Sequence, residues 1–543
     1  MGDAHAGINP RATVILFVIT LLATTAASVA SAQLHGSPRI GIDDANIFFV
    51  YARHLADGHG FVYNVGGERV EGFTSMLWVL VCAVFFAFSE APEMLILGLC
   101  TVFVAVANAW ILFFLLRREE TSRTRQAVLG VGYLALLFSS PAYVTWTTIT
   151  LMDVCLWGLV LALGAVALLQ RAHLMLAGVV VLMLLTRPES LAVVPVVLVL
   201  LVLRNPKNWR SVLAPTIAFL TTVIALTAFR LLYFGYPLPN TYYAKVSPSL
   251  AENLGPGLKY LGTFLVGSPV ALVSAILVVL VVAQDLLQRI RQKDVSALSP
   301  TILCALFCAA LLVLPVLSGG DHFPMSRFYQ GAYPLLLLFL FVALNEYRLR
   351  THLAVTAVAL LTLVNATFSA DSWHGLARQP LAERPLVNEF EIAEKGRRVG
   401  RAFQQAFQEN STTLPSLGVI TAGGVKMEYS GEVVDLMGLN NTRMGHSPGD
   451  RRGIKNHVAF NPEIFFELRP DVILPNALPY SADQTPGKMT GFQAMALHRL
   501  DRNPEFQEAY VYVEIEKKIS GFFNRSFLDN AQLASTSATA SSW

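Results

Sequence analysis

The feature that most constrains this chain is a series of long, uninterrupted apolar runs between Ala12 and about Ala370, several of them able to cross about 30 Å of hydrocarbon as helices. No soluble core has room for so many segments that must be buried all round. They specify a polytopic, α-helical membrane protein. With 54% apolar and only 14% charged residues, the composition excludes a disordered chain, and a net charge of +3 points to no nucleic-acid partner. Cys82, Cys100, Cys155, Cys304 and Cys308 all fall inside apolar runs and read as small buried hydrophobes.

The first run, Ala12 to Ala32, follows Arg11 and closes on Ala30-Ser31-Ala32, a string that resembles a signal-peptidase site. Whether it is kept or cleaved, the segment after Ala32 lies on the far side of the membrane. We keep it as the first span. Topology then turns on Phe73 to Phe88, which reaches only about 24 Å as a helix and reads as juxtamembrane or re-entrant. The remaining spans fall near 94–116, 127–141, 153–170, 174–186, 189–203, 211–232, 269–288, 299–317, 329–345 and 353–370, about eleven with the first. This arrangement puts every short basic loop on one face: Arg11, then Arg117, Arg118, Arg123 and Arg125, then Arg171, then Arg204, Lys207 and Arg210, then Arg289, Arg291 and Lys293, then Arg348 and Arg350. The inverse would translocate nearly all of them, against the positive-inside tendency. The expected location is the cytoplasmic (inner) membrane, with that face inside.

The opposite face then gathers the less ordinary sequence: 33–93, 142–152, TRPE at 186–189, 233–268 and SGGDHFPMSR at 318–327. The first of these loops is acidic, with Asp43, Asp44, Asp57, Glu68, Glu71, Glu90 and Glu93 against Arg39, Arg53 and Arg69. Asp43 and Asp44 sit side by side a dozen residues beyond the first span. Adjacent carboxyls raise one another's pKa, which suits a proton acceptor; a metal ligand or a helix N-cap is the competing use. Asp153 enters an apolar run, where a carboxylate must be paired, wet or capping. Arg187 and Glu189 flank Pro188 and make a local salt bridge the simplest account of both. FGYPLPNTYYAKV carries Asn240, Tyr242, Tyr243 and Lys245 on a stiff, aromatic-rich loop, and GGDHFPMSRF adds Asp321, His322 and Arg327, with His322 read as exposed.

After Ala370 the composition changes. EFEIAEKGRRVGRAFQQAF reads as an amphipathic helix, and Leu417 to Ile420, Val433 to Met437, Asp471 to Leu474 and Tyr510 to Ile515 read as strands. The expected domains are a membrane catalytic domain at 1–370, an extracytoplasmic α/β domain at 371–530, and a disordered tail at 531–543.

Carboxylates, cations and aromatic residues at a lipid–water boundary suit transfer between a lipid-linked phosphate and a hydroxyl acceptor, the cation stabilising the leaving phosphate and a carboxylate removing the acceptor proton. The sequence contains no P-loop, no dinucleotide GxGxxG in a βαβ setting, no HExxH and no GxSxG, which argues against nucleotide-driven chemistry.

DDANIFFVYARHLADGHGFVYNVGGERVEGFTSMLW, MD at 152–153, TRPES at 186–190, RLLYFGYPLPNTYYAKV at 230–246 and GGDHFPMSRF at 319–328 together resemble the polyprenyl-phosphate-dependent glycosyltransferases of the GT-C class. Within that class the chain is similar to the terminal arabinofuranosyltransferase family of the actinobacterial cell wall and its bacterial relatives. YSGEVVDLMGLNN at 429–441 and FNPEIFFELRPDVIL at 460–474 extend the likeness. The resemblance implies a GT-C-like fold and inverting transfer of one sugar from a polyprenyl-phosphate donor to a glycan, lipid or protein acceptor on the outer face. It implies Asp43, then Asp44, as the base. The second outer acid of the family's pattern is a Glu; here it is Asp153, one methylene shorter. Arg187, Lys245 and Arg327 match cations for the donor phosphate, while Tyr51, Arg53, Asn240, Tyr242, Tyr243, Asp321 and His322 fall where sugar or acceptor would be lined. Several members of the class use a divalent cation, magnesium or manganese, but no residue set here forms a convincing ligand group. Two rival functions are a lipid-linked-glycan flippase, which would place ionisable residues within its spans, and a polymerase or ligase working from a diphosphate donor.

Overall fold

The computed structural model describes residues 10–543 except 37–38, 118–122, 205, 248, 293–295, 348–349, 370–385, 409–413, 448–458, 475–486, 516–518, 531–538 and 542–543. Arg118, Lys293 and Arg348, which carry part of the loop-charge argument, lie outside the described residues. The helices run in chain order as α1 (Pro10–Leu34), α2 (Asp43–Ala56), α3 (Met76–Phe86), α4 (Glu93–Arg117), α5 (Arg123–Phe138), α6 (Pro141–Thr147), α7 (Val154–Gln170), α8 (His173–Thr186) and α9 (Ser190–Arg204). They continue as α10 (Leu213–Tyr233), α11 (Asn240–Lys245), α12 (Leu250–Gly267), α13 (Pro269–Gln292), α14 (Pro300–Leu317), α15 (Arg327–Gln330), α16 (Tyr333–Glu346) and α17 (Thr351–Phe368). Beyond the last of these come α18 (Val387–Gln408), α19 (Gly423–Glu428) and α20 (Thr442–Gly445).

Each expected span is helical, but not each is long. Among the described residues six helices, Thr13–Leu34, Glu93–Arg117, Trp209–Tyr233, Pro269–Gln292, Pro300–Leu317 and Thr351–Phe368, are long and apolar enough to cross a membrane by length and composition. A seventh candidate is α5 with α6, bent by 75° at their junction. Pro141 causes this break: it lacks an N–H for the α5 ladder and pushes Ser140 out of the helical region, and Ser140 instead caps α6 by accepting from Tyr143 N–H. α7, α8, α9 and α16 are apolar but have only 14 to 17 residues. At these four positions the expected runs are themselves only 13 to 18 residues, about 20 to 27 Å as helices, so the expectation of about eleven full spans counted segments shorter than the hydrocarbon is thick. Phe73 to Phe88 contains only the 11-residue α3, about 16 Å long, so it does not span as a straight helix.

The chain forms two compact units: residues 1–37, 95–224 and 251–386 make the first, and 38–94, 225–250 and 387–543 the second. The first unit is helical. Its outer helices turn apolar side chains outward, with Ile217, Val279 and Leu363 at 60%, 67% and 63% exposed. Such faces belong in lipid, and the unit is a multi-pass membrane body. Two buried asparagines are paired within it: Asn108 donates to Val104 O and accepts from Tyr133 Oη, and Asn365 donates to Ser139 O. α7 and α8 form an antiparallel hairpin turned by Arg171 in the left-handed region.

In the second unit a sheet has the order β2-β1-β3-β5-β4-β6, with β1 Leu417–Val419, β2 Val433–Asp435, β3 Val472–Ile473, β4 Tyr510–Ile515, β5 Ile519–Asn524 and β6 Thr539–Ser541. β1 pairs in parallel with β2 and β3, and the other ladders are antiparallel. All four expected strands form. ISGFFN, whose side chains do not alternate, gives the unexpected β5, and the tail read as disordered contributes β6 as a ladder partner of β4. Leu436, Met444, Phe465, Ile473, Tyr510 and Phe522 centre the core. Residues 38–94 group with this region rather than with the helices, because their polar side chains complete it: Tyr63 Oη donates to Ala422 O at 2.6 Å, and the Asn64 amide both donates to Val433 O and accepts from Val433 N–H at 3.0 Å, closing the β2 edge.

Candidate functional site

In the first unit, three of the expected loops come together. Because α7 and α8 are antiparallel, the residues before one and after the other return to the same end, and Arg187 Nη2 donates to Asp153 Oδ1 at 2.8 Å. Asp153 occupies the N-cap position of α7 without capping it, and Glu189 is a second, looser partner of Arg187 at 3.8 Å. The local salt bridge expected at 187–189 is therefore the lesser of the two contacts. On the α14–α15 connection, Arg327 Nη2 meets Asp321 Oδ2 at 2.7 Å, and His322 Nδ1 lies 3.3 Å from Asp321 Oδ1 with its side chain 24% exposed.

These two pairs share an aromatic ring. The Arg187 and Arg327 guanidinium carbons lie 5.8 and 5.2 Å from the Phe328 ring centroid, and Arg327 also sits over Phe323 and Trp146, whose indole donates to Pro324 O. Both arginines are buried, yet Arg187 Nε, Asp153 Oδ2 and Glu189 Oε2 have no hydrogen-bond partner among the described residues. Buried polar atoms of that kind are costly unless a ligand or ordered water satisfies them. Leu151, Met325 and Ser326 hold left-handed backbone conformations beside the two pairs. Non-glycine residues tolerate that strain mainly where function requires a particular geometry. Gly331 lets this end pack closely: a Cβ there would come within 2.7 Å of Trp157 Cδ1.

In the second unit Asp43 and Asp44 take different roles. Asp43, the first residue of α2, accepts from Gly423 N–H at 3.0 Å and Gly424 N–H at 2.7 Å, so its carboxylate caps α19 rather than its own helix. Burial pushes its carboxyl up to about 6 against the pull of the two backbone N–H groups, with Asp44 and Asp435 adding to the rise. A Cβ on Gly423 would overlap the Asp43 carbonyl oxygen, which fixes glycine there. Asp44 is more open, its side chain 22% exposed, and lies 3.9 Å from Lys245 Nζ.

Several expected ligand residues hold this unit together instead. Tyr51 is fully buried, and its hydroxyl donates to Val70 O and accepts from Gly72 N–H. Arg53 donates to Met427 O. Asn240 donates to Gly438 O and Leu439 O, which leaves its side chain engaged with backbone. Tyr242 and Tyr243 remain at the surface of α11 with Lys245. Sequence reasoning missed the Glu71–Arg230 pair, bidentate at 2.9 to 3.2 Å, and the Arg397 side chain, which reaches both Asn46 Oδ1 and Glu93 Oε1 at 2.7 Å. The one signal for the first was an isolated arginine near the end of an apolar run. Among the described residues no group of three or more His, Cys, Asp or Glu is placed to hold a metal ion.

No family model and no curated protein matches this chain. Among solved structures it is similar to the crystal structure of ArnT from Cupriavidus metallidurans bound to undecaprenyl phosphate, at 13% sequence identity and a TM-score of 0.47, covering 77% of this chain and 85% of that one. That likeness is too slight to carry an argument about chemistry, which rests on the residues described above.

Proposed function

We propose that this protein is a GT-C-like membrane glycosyltransferase. It moves a single sugar, arabinofuranose being the first candidate, from a polyprenyl-phosphate donor to a hydroxyl of a cell-envelope glycan, lipid or protein on the outer face of the inner membrane. The observation that carries this reading is the meeting of Arg187 and Arg327 on one aromatic ring at the ends of apolar helices, each oriented by an aspartate. Planar guanidiniums match phosphate oxygens bidentately, and a lipid-facing body is where a polyprenyl chain is soluble. A transporter would carry its ionisable groups near the middle of its spans; these pairs sit at helix ends.

In the proposed reaction the acceptor oxygen attacks the anomeric carbon as the bond from that carbon to the phosphate oxygen breaks, with inversion. The electron pair leaves with polyprenyl phosphate, whose charge Arg187 and Arg327 stabilise, and the acceptor proton passes to a carboxylate. Of the two adjacent carboxylates of the second unit, Asp44 is the more open to a proton, since both oxygens of Asp43 already accept backbone N–H groups. Asp43 is then a positioning residue. Asp153 and Asp321 hold the arginines, and Lys245 adds a cation beside Asp44.

The test is transfer from synthetic polyprenyl-phosphate monosaccharides, arabinofuranose included, by the full chain in detergent, with mass spectrometry of released lipid phosphate and product. Sugar-dependent release that Asp44→Asn abolishes while donor binding persists is the expected result. A folded protein that binds no polyprenyl phosphate refutes the reading.

A further inference from the structure

Three rings from three segments of the second unit meet outside its core. Tyr236 follows α10, Tyr243 lies on α11, and His446 is the residue after α20. The His446 ring centroid is 4.1 Å from that of Tyr236 and 4.0 Å from that of Tyr243, with interplanar angles of 37° and 31°. The two tyrosines are 5.9 Å apart, and Tyr242 abuts Tyr243 edge-on at 5.5 Å. Rings packed this closely usually belong to a core, yet Tyr236 is 38% exposed and Tyr243 and His446 are only half-buried.

The cluster is held in place from behind. Asn240, on α11, ties that helix to the Gly438 and Leu439 carbonyls, and Gly445 packs so closely that a Cβ would lie 2.9 Å from Asn240 Nδ2. Two residues beyond Tyr243 is Lys245, whose ammonium is 3.9 Å from Asp44. α11 thus carries one ring of the cluster, Tyr243, and the ammonium of a carboxylate–ammonium pair, Lys245, within three residues of one another. A sugar ring fits both: its C–H face packs on aromatic surface, and its hydroxyl edge seeks charged and polar groups. Tyrosines that anchor a protein at a membrane interface stand apart with their hydroxyls at headgroup level; here they pack ring on ring with a histidine.

We propose that Tyr236, Tyr243 and His446 form a platform on which a sugar ring of the acceptor stacks, placing its hydroxyl edge toward Asp44 and Lys245. This deepens the glycosyltransferase reading and rests on it. The acceptor class is accordingly a glycan.

The experiment titrates full-length protein in detergent, without donor, against two soluble oligosaccharide probes, one of pentofuranoses and one of hexopyranoses, with binding followed by saturation-transfer NMR. Polyprenyl-phosphate binding and thermal melting are measured on the same preparations. Tyr236→Ala and His446→Ala are expected to weaken binding of at least one probe by about tenfold, while Tyr236→Trp, which keeps the aromatic face, binds it nearly as wild type. Polyprenyl-phosphate binding stays unchanged in all three, and in turnover the acceptor KM rises while kcat holds. Oligosaccharide binding that survives Tyr236→Ala in a folded variant overturns the platform and leaves the glycosyltransferase standing. So does a wild type that binds polyprenyl phosphate and neither probe. If Tyr236→Ala changes only partition into zwitterionic vesicles, the rings are a membrane anchor and the platform is overturned. If wild type binds no polyprenyl phosphate, the parent reading falls as well.

Discussion

Arg187 and Asp153 stand 34 residues apart in sequence and 2.8 Å apart in space, each buried at one end of a two-helix hairpin. Removing one partner of a buried pair leaves an uncompensated charge at a cost of about 3 to 5 kcal/mol. Arg187→Gln is therefore expected to lower the melting temperature in detergent, and Asp153→Asn combined with Arg187→Gln to recover most of that loss. Polyprenyl-phosphate binding should not recover in the double variant. If it does, the arginine is purely structural.

Asp44 and Asp43 separate by readout. The Asp44–Lys245 contact is partly exposed, and pairs of that kind contribute about 0 to 1 kcal/mol. Asp44→Asn should leave melting nearly unchanged while lowering kcat by about two to four orders of magnitude. An Asp44→Asn protein with wild-type turnover would move the base elsewhere.

The pH dependence of the second unit should carry the signature of Asp43. Its folded carboxyl, raised to about 6 from an ordinary 3.8, binds a proton more tightly than in the unfolded chain. The stability this contributes is fully present below about pH 3.8 and is lost as pH rises through about 6, a swing on the order of 3 kcal/mol. Asp43→Asn does not titrate. The stability gap between wild type and this variant should narrow from pH 4 to pH 7, as read from denaturation midpoints at each pH; a gap that widens would contradict the assignment.

Gly423→Ala puts a methyl group against the Asp43 carbonyl oxygen. Overpacking of this sort costs about 1 to 3 kcal/mol, and α19 has to shift to relieve it. Faster proteolysis of the second unit is expected, with Asp43 no longer protecting the Gly424 amide from hydrogen exchange.

Sidedness can be tested directly. A phosphatase reporter fused after Arg118 should be inactive, and one fused after Ala370 active. The reverse pattern would invert every loop assigned to the outer face.

Much of the fold was legible because apolar runs and strand-like segments announce themselves locally. Tyr510–Ile515 is rich in β-branched and aromatic residues and forms β4 with the bounds expected of it, whereas in Ile519–Asn524 Gly521 and two consecutive phenylalanines hide a period of two. At the candidate site, Asp153, Arg187, Asp321 and Arg327 stood out as charges beside apolar runs. That Arg187 would choose Asp153 over its neighbour Glu189 follows from helix pairing, which no local pattern encodes. Tyr51, Arg53 and Asn240 show the opposite failure: polar residues in a motif-rich loop look like ligand contacts, while the folded unit uses them to satisfy buried backbone. Gly423 and Gly424 carried no signal, since their need for hydrogen on Cα arises only when Asp43, 380 residues away, packs on the first and the α18 backbone at Ala393 packs on the second.

That separation has a consequence for biogenesis. Tyr51, Asn64 and Asp43 emerge from the ribosome early, but Asn440, Val433 and Gly423, which they hold, are made 389, 369 and 380 residues later. At about 5 to 20 residues per second, the wait is on the order of 20 to 80 seconds. Through that interval residues 38–94 have none of these partners, the Asp43 carboxylate without its two N–H donors and Tyr51 and Asn64 without the groups they will bond. The cell must keep this segment soluble and uncut until the chain has been made through Asn440, so one of the earliest segments to be made is among the last to fold.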